Sequence, residues 1–232
     1  MKSHVVLAIE TSGGSCRVAR VVVSGNPKSP AEAMKGAKTT EKEYSGDASR
    51  HSEMLWKLLD GVLSVPRTGK GRGNPLHGID LVAVSIGPGS FTGLRVGLAA
   101  AKVFARFGGL PLAGVPTLDA AAEEGAIRTQ ARTVLVALDA KRGEVYAARY
   151  RRTGMTLRKT GAVRVRLLDE ARAGLPGDAV VLTDTPGAGI IGILGLVRFL
   201  KGKRDDPDSL VPLYIRRPEA VERRFALHRR RK

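Results

Sequence analysis

Residues Ile86–Gly97 read IGPGSFTGLRVG. The stretch leaves Ile79–Ile86, which is almost wholly apolar after Asp80, as a strand covered on both faces should be. It passes through Gly87, Pro88 and Gly89 into a run with helical periodicity that reaches about Phe107. Ser90 stands where a helix N-cap is wanted. Strand, glycine turn and helix in that order make a βα unit, so the fold is α/β from here outward.

Two roles compete for this loop. Glycines ahead of a helix N-terminus can cradle phosphate. The spacing, however, is neither that of a P-loop, which needs Gly-Lys-Ser/Thr, nor that of a dinucleotide fingerprint, and Pro88 removes one backbone donor. Beyond the cap, Phe91, Leu94, Leu98 and Ala101 form an apolar stripe, while Gly93, Gly97 and Ala100 or Ala101 form a face of small residues. Each internal glycine costs a helix about 1 kcal/mol against alanine. Close approach of a second helix is the strongest reason to keep them, and packing is favoured over ligand binding.

Working outward, Val5–Glu10 and Ser15–Val23 read as antiparallel strands across the turn Ser12-Gly13-Gly14. Gly25–Ser49 reads as loop with short strand pieces. His51–Leu63 carries Leu55, Leu58, Leu59, Val62 and Leu63 at the spacing of an amphipathic helix. Pro66–Pro75 is a basic loop, Pro111–Val115 a strand and Leu118–Ile127 a helix. A second block follows, with strands at Thr133–Asp139, Glu144–Arg151, Leu157–Leu167 and Ala179–Thr183 and a helix at Ile190–Leu200. The expected organisation is a first lobe over 1–130, a reduced second lobe over 131–215 and a basic tail over 216–232.

Composition narrows the function classes. With 232 residues and 43% hydrophobic content, the chain can bury a core. Cys16 is the only cysteine, which excludes an internal disulfide and a cysteine-cluster metal site. The longest uncharged run, Leu81–Leu94, has 14 residues, short of the roughly 20 that a membrane helix needs. The opening MKSHVVLAIE lacks a signal-peptide core, so a cytoplasmic protein without a membrane span is expected. Lys and Arg total 39 against 22 acids, a net charge of +17. The excess is concentrated in Lys141–Arg172, with ten bases and three acids, and in Arg216–Lys232, with eight and two. Such a field attracts polyanions, RNA among them, and equally describes a solvated surface. With 4% aromatics and no run that interleaves them with bases, the chain lacks a base-stacking platform, so backbone phosphate would be the target.

Catalytic signatures are sparse. Gly187-Ala188-Gly189-Ile190-Ile191-Gly192 matches G-x-G-x-x-G between a strand and a helix. A dinucleotide fold needs several further strands after it, and only 40 residues remain. His4, His51, His77 and His228 are scattered, and no G-x-S-x-G elbow occurs. No catalytic, metal or cofactor residues are assigned.

Five segments in order, LAIETS (Leu7–Ser12), HSEMLWKLLDGVL (His51–Leu63), GPGSFTGLRVGLAAAK with GVPTLDA (Gly87–Ala120), DAKRGEVY (Asp139–Tyr146) and VPLYIRR (Val211–Arg217), resemble the TsaB (YeaZ) family. The resemblance implies a two-lobed actin-like (ASKHA, ribonuclease-H-like) fold with a reduced second lobe. It implies a non-catalytic subunit in threonylcarbamoyladenosine formation at adenosine 37 of tRNAs reading codons that begin with A. The implied partners are the TsaD-type catalytic paralogue, which it would bind and activate, the TsaE-type ATPase, and tRNA through the basic surface. A homodimer would form when the chain is alone. Where the paralogue carries a metal-binding H-x-x-x-H, this chain has Thr117-Leu118-Asp119-Ala120-Ala121, and Glu10 and Ala140–Gly143 depart from actin-like phosphate loops.

Family members pair through first-lobe helices, which match His51–Leu63 and Phe91–Phe107. The expected interface is therefore His51, Leu55, Leu58, Leu59, Phe91, Gly93, Leu94, Gly97, Leu98 and Ala101. On this reading Gly97→Leu breaks pairing and spares the fold. The rival reading is an independent actin-like ATPase or metallopeptidase, with Asp139 and Ser12–Ser15 lining a nucleotide site.

Overall fold

A computed structural model describes residues 2–46, 50–63, 74–154 and 156–216. Most of the basic loop expected at Pro66–Pro75 and nearly all of the expected tail lie outside the described residues. Strands β1 (Ser3–Glu10) and β2 (Ser15–Ser24) form the first hairpin, in register from Ser3↔Ser24 to Glu10↔Arg17. Alternate residues of β1 serve two cores, Val6 and Ala8 on one face and Leu7 and Ile9 on the other. That double burial is why the strand is apolar without alternation.

Gly25–Ser49 is more regular than its composition suggests. It holds helix α1 (Pro30–Gly36), capped by Ser29 Oγ accepting from Glu32 N–H, and strand β3 (Lys38–Ser45), antiparallel to β2. β3 reads KTTEKEYS because it is an edge strand with exposed side chains, and charges there discourage pairing with another chain. After helix α2 (His51–Leu63) come β4 (Leu81–Ser85), α3 (Phe91–Gly108), β5 (Leu112–Val115) and α4 (Thr117–Thr129). The sheet order is β3-β2-β1-β4-β5, with β4 parallel to β1 and β5 parallel to β4.

The second lobe repeats this plan in shorter form. Strands β6 (Thr133–Asp139) and β7 (Glu144–Thr153) make an antiparallel hairpin, and β10 (Val180–Leu182) runs parallel to β6 as β4 does to β1. The strand expected at Leu157–Leu167 is two pieces, β8 (Thr156–Lys159) and β9 (Arg164–Leu167), both pairing with β7. Helix α5 (Leu168–Arg172) covers part of one face. Two sheets with the same hairpin-plus-parallel-strand plan make a two-lobed actin-like fold.

Helix α6 (Ala188–Leu200) falls in the second lobe by sequence order, yet Ile190, Ile191, Ile193 and Leu196 pack on the first sheet beside Val6, Ala8, Leu81 and Ala83. Gly195 makes the approach possible, since a Cβ there would sit 2.6 Å from that of Ala83. Helices α2 and α3 cover the opposite face. The last described segment also returns to the first lobe. Asp205 Oδ2 accepts from Gly114 N–H at 2.7 Å, and Leu213 N–H donates to Ile86 O at 2.7 Å. Arg216 then reaches the second lobe, donating to Ala140 O and pairing with Glu144.

Candidate partner interface and the cleft behind it

The glycine loop is held against the first hairpin's turn. Ser90 N–H donates to Ser12 O at 2.7 Å, Thr11 Oγ1 donates to Gly93 O at 2.8 Å, and Ser90 Oγ caps α3 by accepting from Gly93 N–H. A Cβ on Gly93 would run into Thr11 O, and one on Gly97 into Thr11 Oγ1. The small face of α3 therefore meets the end of β1 in the same chain, not a second helix. This corrects the expected reason for both glycines.

The same packing bears on the residues of the expected interface. Of its ten residues, His51, Leu55, Leu59, Gly93, Leu94, Gly97, Leu98 and Ala101 are buried inside the chain, and Leu58 is half-buried. His51 Nε2 contacts Gly14 O at 3.2 Å, tying α2 to the first turn. A side chain at Gly97 would meet Thr11 Oγ1, so Gly97→Leu would strike the fold first. Only Phe91 stands at the surface, 36% exposed.

What α2 and α3 do present is their outer side. Phe91, Arg95, Ala99, Val103 and Phe107 follow one another at four-residue steps and form a single exposed ridge along α3. Phe107 is 85% exposed and Val103 45%. Beside them Trp56 of α2, 54% exposed, stacks edge-on against Phe104, with ring centroids 6.0 Å apart. At the N-terminal end the Arg95 guanidinium lies 4.0 Å over the Phe91 ring, and the Tyr214 ring packs against Phe91 with centroids 5.4 Å apart. The apolar stripe visible in the sequence is the one that the sheet needs, and the apolar residues outside it face solvent. Trp56, Val103 and Phe107, off the Leu55–Leu59 and Leu94–Ala101 stripes, were the available signal.

Behind this surface, the first hairpin is tied to the segment that leads into α6. Thr185 sits against Gly13, where a Cβ would lie 2.6 Å from Thr185 Cγ2. Arg17 donates to Thr185 Oγ1 at 3.0 Å and to Pro186 O at 3.3 Å, and pairs with Glu43 at 2.9 Å. The G-x-G-x-x-G amides at the start of α6 are engaged by carboxylates. Glu124 accepts from Gly187 N–H at 3.2 Å, and Glu41 accepts from Ala188 N–H at 3.1 Å and Gly189 N–H at 2.9 Å. A helix N-terminus favours negative charge, and here glutamates supply it where a phosphate would. Burial raises the Glu124 pKa.

Glu10 lies at the end of β1, fully buried, and burial raises its pKa despite hydrogen bonds from Ser12 N–H and Oγ. Its Oε2 has no hydrogen-bond partner among the described residues. Burial pushes the Cys16 thiol up to about 11, away from nucleophilic chemistry. Asp139 is exposed and paired with Lys141 at 2.9 Å. Among the described residues no group of three or more His, Cys, Asp or Glu is placed to hold a metal ion. No helix among them is long and apolar enough to cross a membrane.

Comparison with known proteins gives consistent results. The family described as TsaD, tRNA N6-adenosine threonylcarbamoyltransferase, matches residues 47–171. An uncharacterized protein of Mycobacterium tuberculosis is 35% identical over 194 residues, covering 75% of this chain and 79% of the relative. The tRNA threonylcarbamoyladenosine biosynthesis protein TsaB of Escherichia coli is 31% identical over 147 residues, 63% of this chain and 55% of that protein. The chain thus spans about half the length of that relative, as it does for a Mycobacterium leprae relative at 56%. The solved structure of YeaZ from Pseudomonas aeruginosa superposes with a TM-score of 0.71 at 21% identity, covering 91% of this chain and 100% of that one.

Proposed function

The chain belongs to the TsaB (YeaZ) family, and from that premise we propose that it is the non-catalytic partner subunit that binds and activates a TsaD-type threonylcarbamoyltransferase in forming threonylcarbamoyladenosine on tRNA. The observation that carries this reading is the outer ridge of α3 with Trp56 of α2. Aromatic and aliphatic side chains stand in solvent there on two rigid helices, and such anchors are what a buried interface core is built from. The helices are those of the expected interface, with the contact moved from their inner to their outer side. A TsaE-type ATPase joins the pair, tRNA is the substrate of the assembly, the setting is cytoplasmic, and the same ridge pairs two copies when the paralogue is absent.

The engaged N-terminus of α6 supports the non-catalytic assignment over the ATPase reading. Its α6 amides are committed to Glu41 and Glu124, and Thr185 occupies the space beside Gly13. The test is titration calorimetry of the chain against the TsaD-type paralogue. Trp56→Ala combined with Phe107→Ala is expected to weaken binding by about 30-fold or more, the effect of removing interface anchors worth about 2 kcal/mol. Phe107 is 85% exposed and Trp56 54%, so the cost to stability is confined to the Trp56–Phe104 contact, about 1 kcal/mol. Undiminished affinity in a variant that folds would overturn the ridge as the interface. Nucleoside mass spectrometry of tRNA after depletion of the protein should show loss of threonylcarbamoyladenosine.

A further inference from the structure

The second lobe carries a surface that the pairing reading leaves unused. From Val145 to Leu167 the chain has seven bases and no acid. Register decides which of them stand together. Val145↔Arg166 and Ala147↔Arg164 pair across β7 and β9, and Arg151↔Arg158 pair across β7 and β8. Directly opposed residues share a face, and alternate residues along β7 share it too. Arg149, Arg151, Arg158, Arg164 and Arg166 therefore lie on one side of one sheet edge, with steps of about 7 Å along β7.

Between them runs an open groove of about 270 Å³, lined by Arg149, Arg164 and Arg166 with Thr160 and Gly161. Arg149 is spent on structure, donating to Ala171 O at 2.8 Å and to Ala173 O, both neutral acceptors that leave its charge uncompensated. The guanidinium groups of Arg151, Arg158, Arg164 and Arg166 have no ion-pair or hydrogen-bond partner among the described residues. Unpaired arginines are strong, planar donors to phosphate. The groove has no exposed aromatic or methionine anchor, which a protein partner's core would require.

We propose that this arginine-lined edge, β7 with β8 and β9, binds the phosphate backbone of the tRNA substrate. The recognition is electrostatic and independent of base sequence, and it rests on the reading of the chain as a tRNA-modification subunit. The site lies on a different lobe from the α2–α3 ridge, so one protein can hold paralogue and RNA together.

The test measures binding of an unmodified tRNA transcript to the full chain as salt is raised. Replacing Arg151, Arg158, Arg164 and Arg166 by Ala should lower the slope of log affinity against log salt by about 3, from four phosphate contacts. Arg149 is left in place because it anchors α5. Replacing Lys2, Lys28, Lys35 and Lys38, exposed on the first lobe, removes the same charge and should leave the slope nearly unchanged. Equal effects of the two sets would make the net charge, not this edge, the cause and would overturn the proposal. So would unchanged binding by the arginine variant, absence of binding by the native chain, or competition by polyglutamate as effective as by RNA. The arginine variant should still pair with the TsaD-type paralogue. Failure of pairing in the native chain would instead count against the earlier reading.

Discussion

Gly93→Ala tests whether α3 is shaped by its own sheet. Two effects oppose each other. Alanine at an interior helix position gains about 1 kcal/mol over glycine. Against this, the new methyl meets Thr11 O, a backbone atom that cannot rotate away, and overpacking of this kind costs about 1–3 kcal/mol. Displacing Thr11 also endangers the hydrogen bond from its Oγ1 to Gly93 O, worth about 1 kcal/mol. The net expectation is a destabilisation of about 2 kcal/mol, a large share of the stability of an ordinary domain. Gly61→Ala is the internal control. It also lies in a helix, but its Cβ would approach only Lys42 Cγ, at 3.9 Å, so the propensity gain stands alone and stability rises by about 0.5–1 kcal/mol. Urea unfolding of the purified chain reads both, as opposite shifts of the midpoint at constant slope. A stabilised Gly93→Ala would refute the close approach of α3 to Thr11 and restore an intermolecular reason for the glycine.

Arg17→Ala removes the link from the first hairpin to Thr185, Pro186 and Glu43 and should cost about 1–2 kcal/mol in thermal unfolding; no loss would refute that link as a stabilising contact. Glu10 has a raised pKa, so the stability tied to its neutral form is complete below its ordinary value of 4.5 and is lost as pH rises through the raised value. Glu10→Gln should therefore flatten the fall in melting temperature as pH rises above 4.5, and an unchanged profile would assign that fall to other groups.

The fold was readable where one residue pattern answers to one environment. His51–Leu63 and Thr133–Asp139 have the expected bounds because each presents a single periodicity to a single core. β3 was not readable, since an exposed edge strand carries no apolar alternation. Nor was the placement of α6: an apolar, glycine-rich helix states that it is buried and closely packed, but not on which sheet. The outer side of α2 and α3 was hard to read for a related reason. An amphipathic stripe marks the face that its own chain needs, as Leu55 and Leu98 show, whereas a docking surface consists of the few apolar residues left over. G-x-G-x-x-G at Gly187 misled similarly, because glycines kept for packing and glycines kept for phosphate look alike until Glu41 is seen on their amides.

The return of α6 to the first sheet has a consequence for the order in which the protein can be assembled. When a ribosome has released only residues 1–130, Val6, Ala8, Val21, Leu81 and Ala83 form a sheet face whose cover is still untranslated. The first lobe matures only after the whole second-lobe sheet has emerged, since that sheet lies between β5 and α6 in the chain. Synthesis thus couples the two lobes: an error in folding the small one leaves the large one with a bare apolar face, the form in which nascent chains aggregate or recruit chaperones.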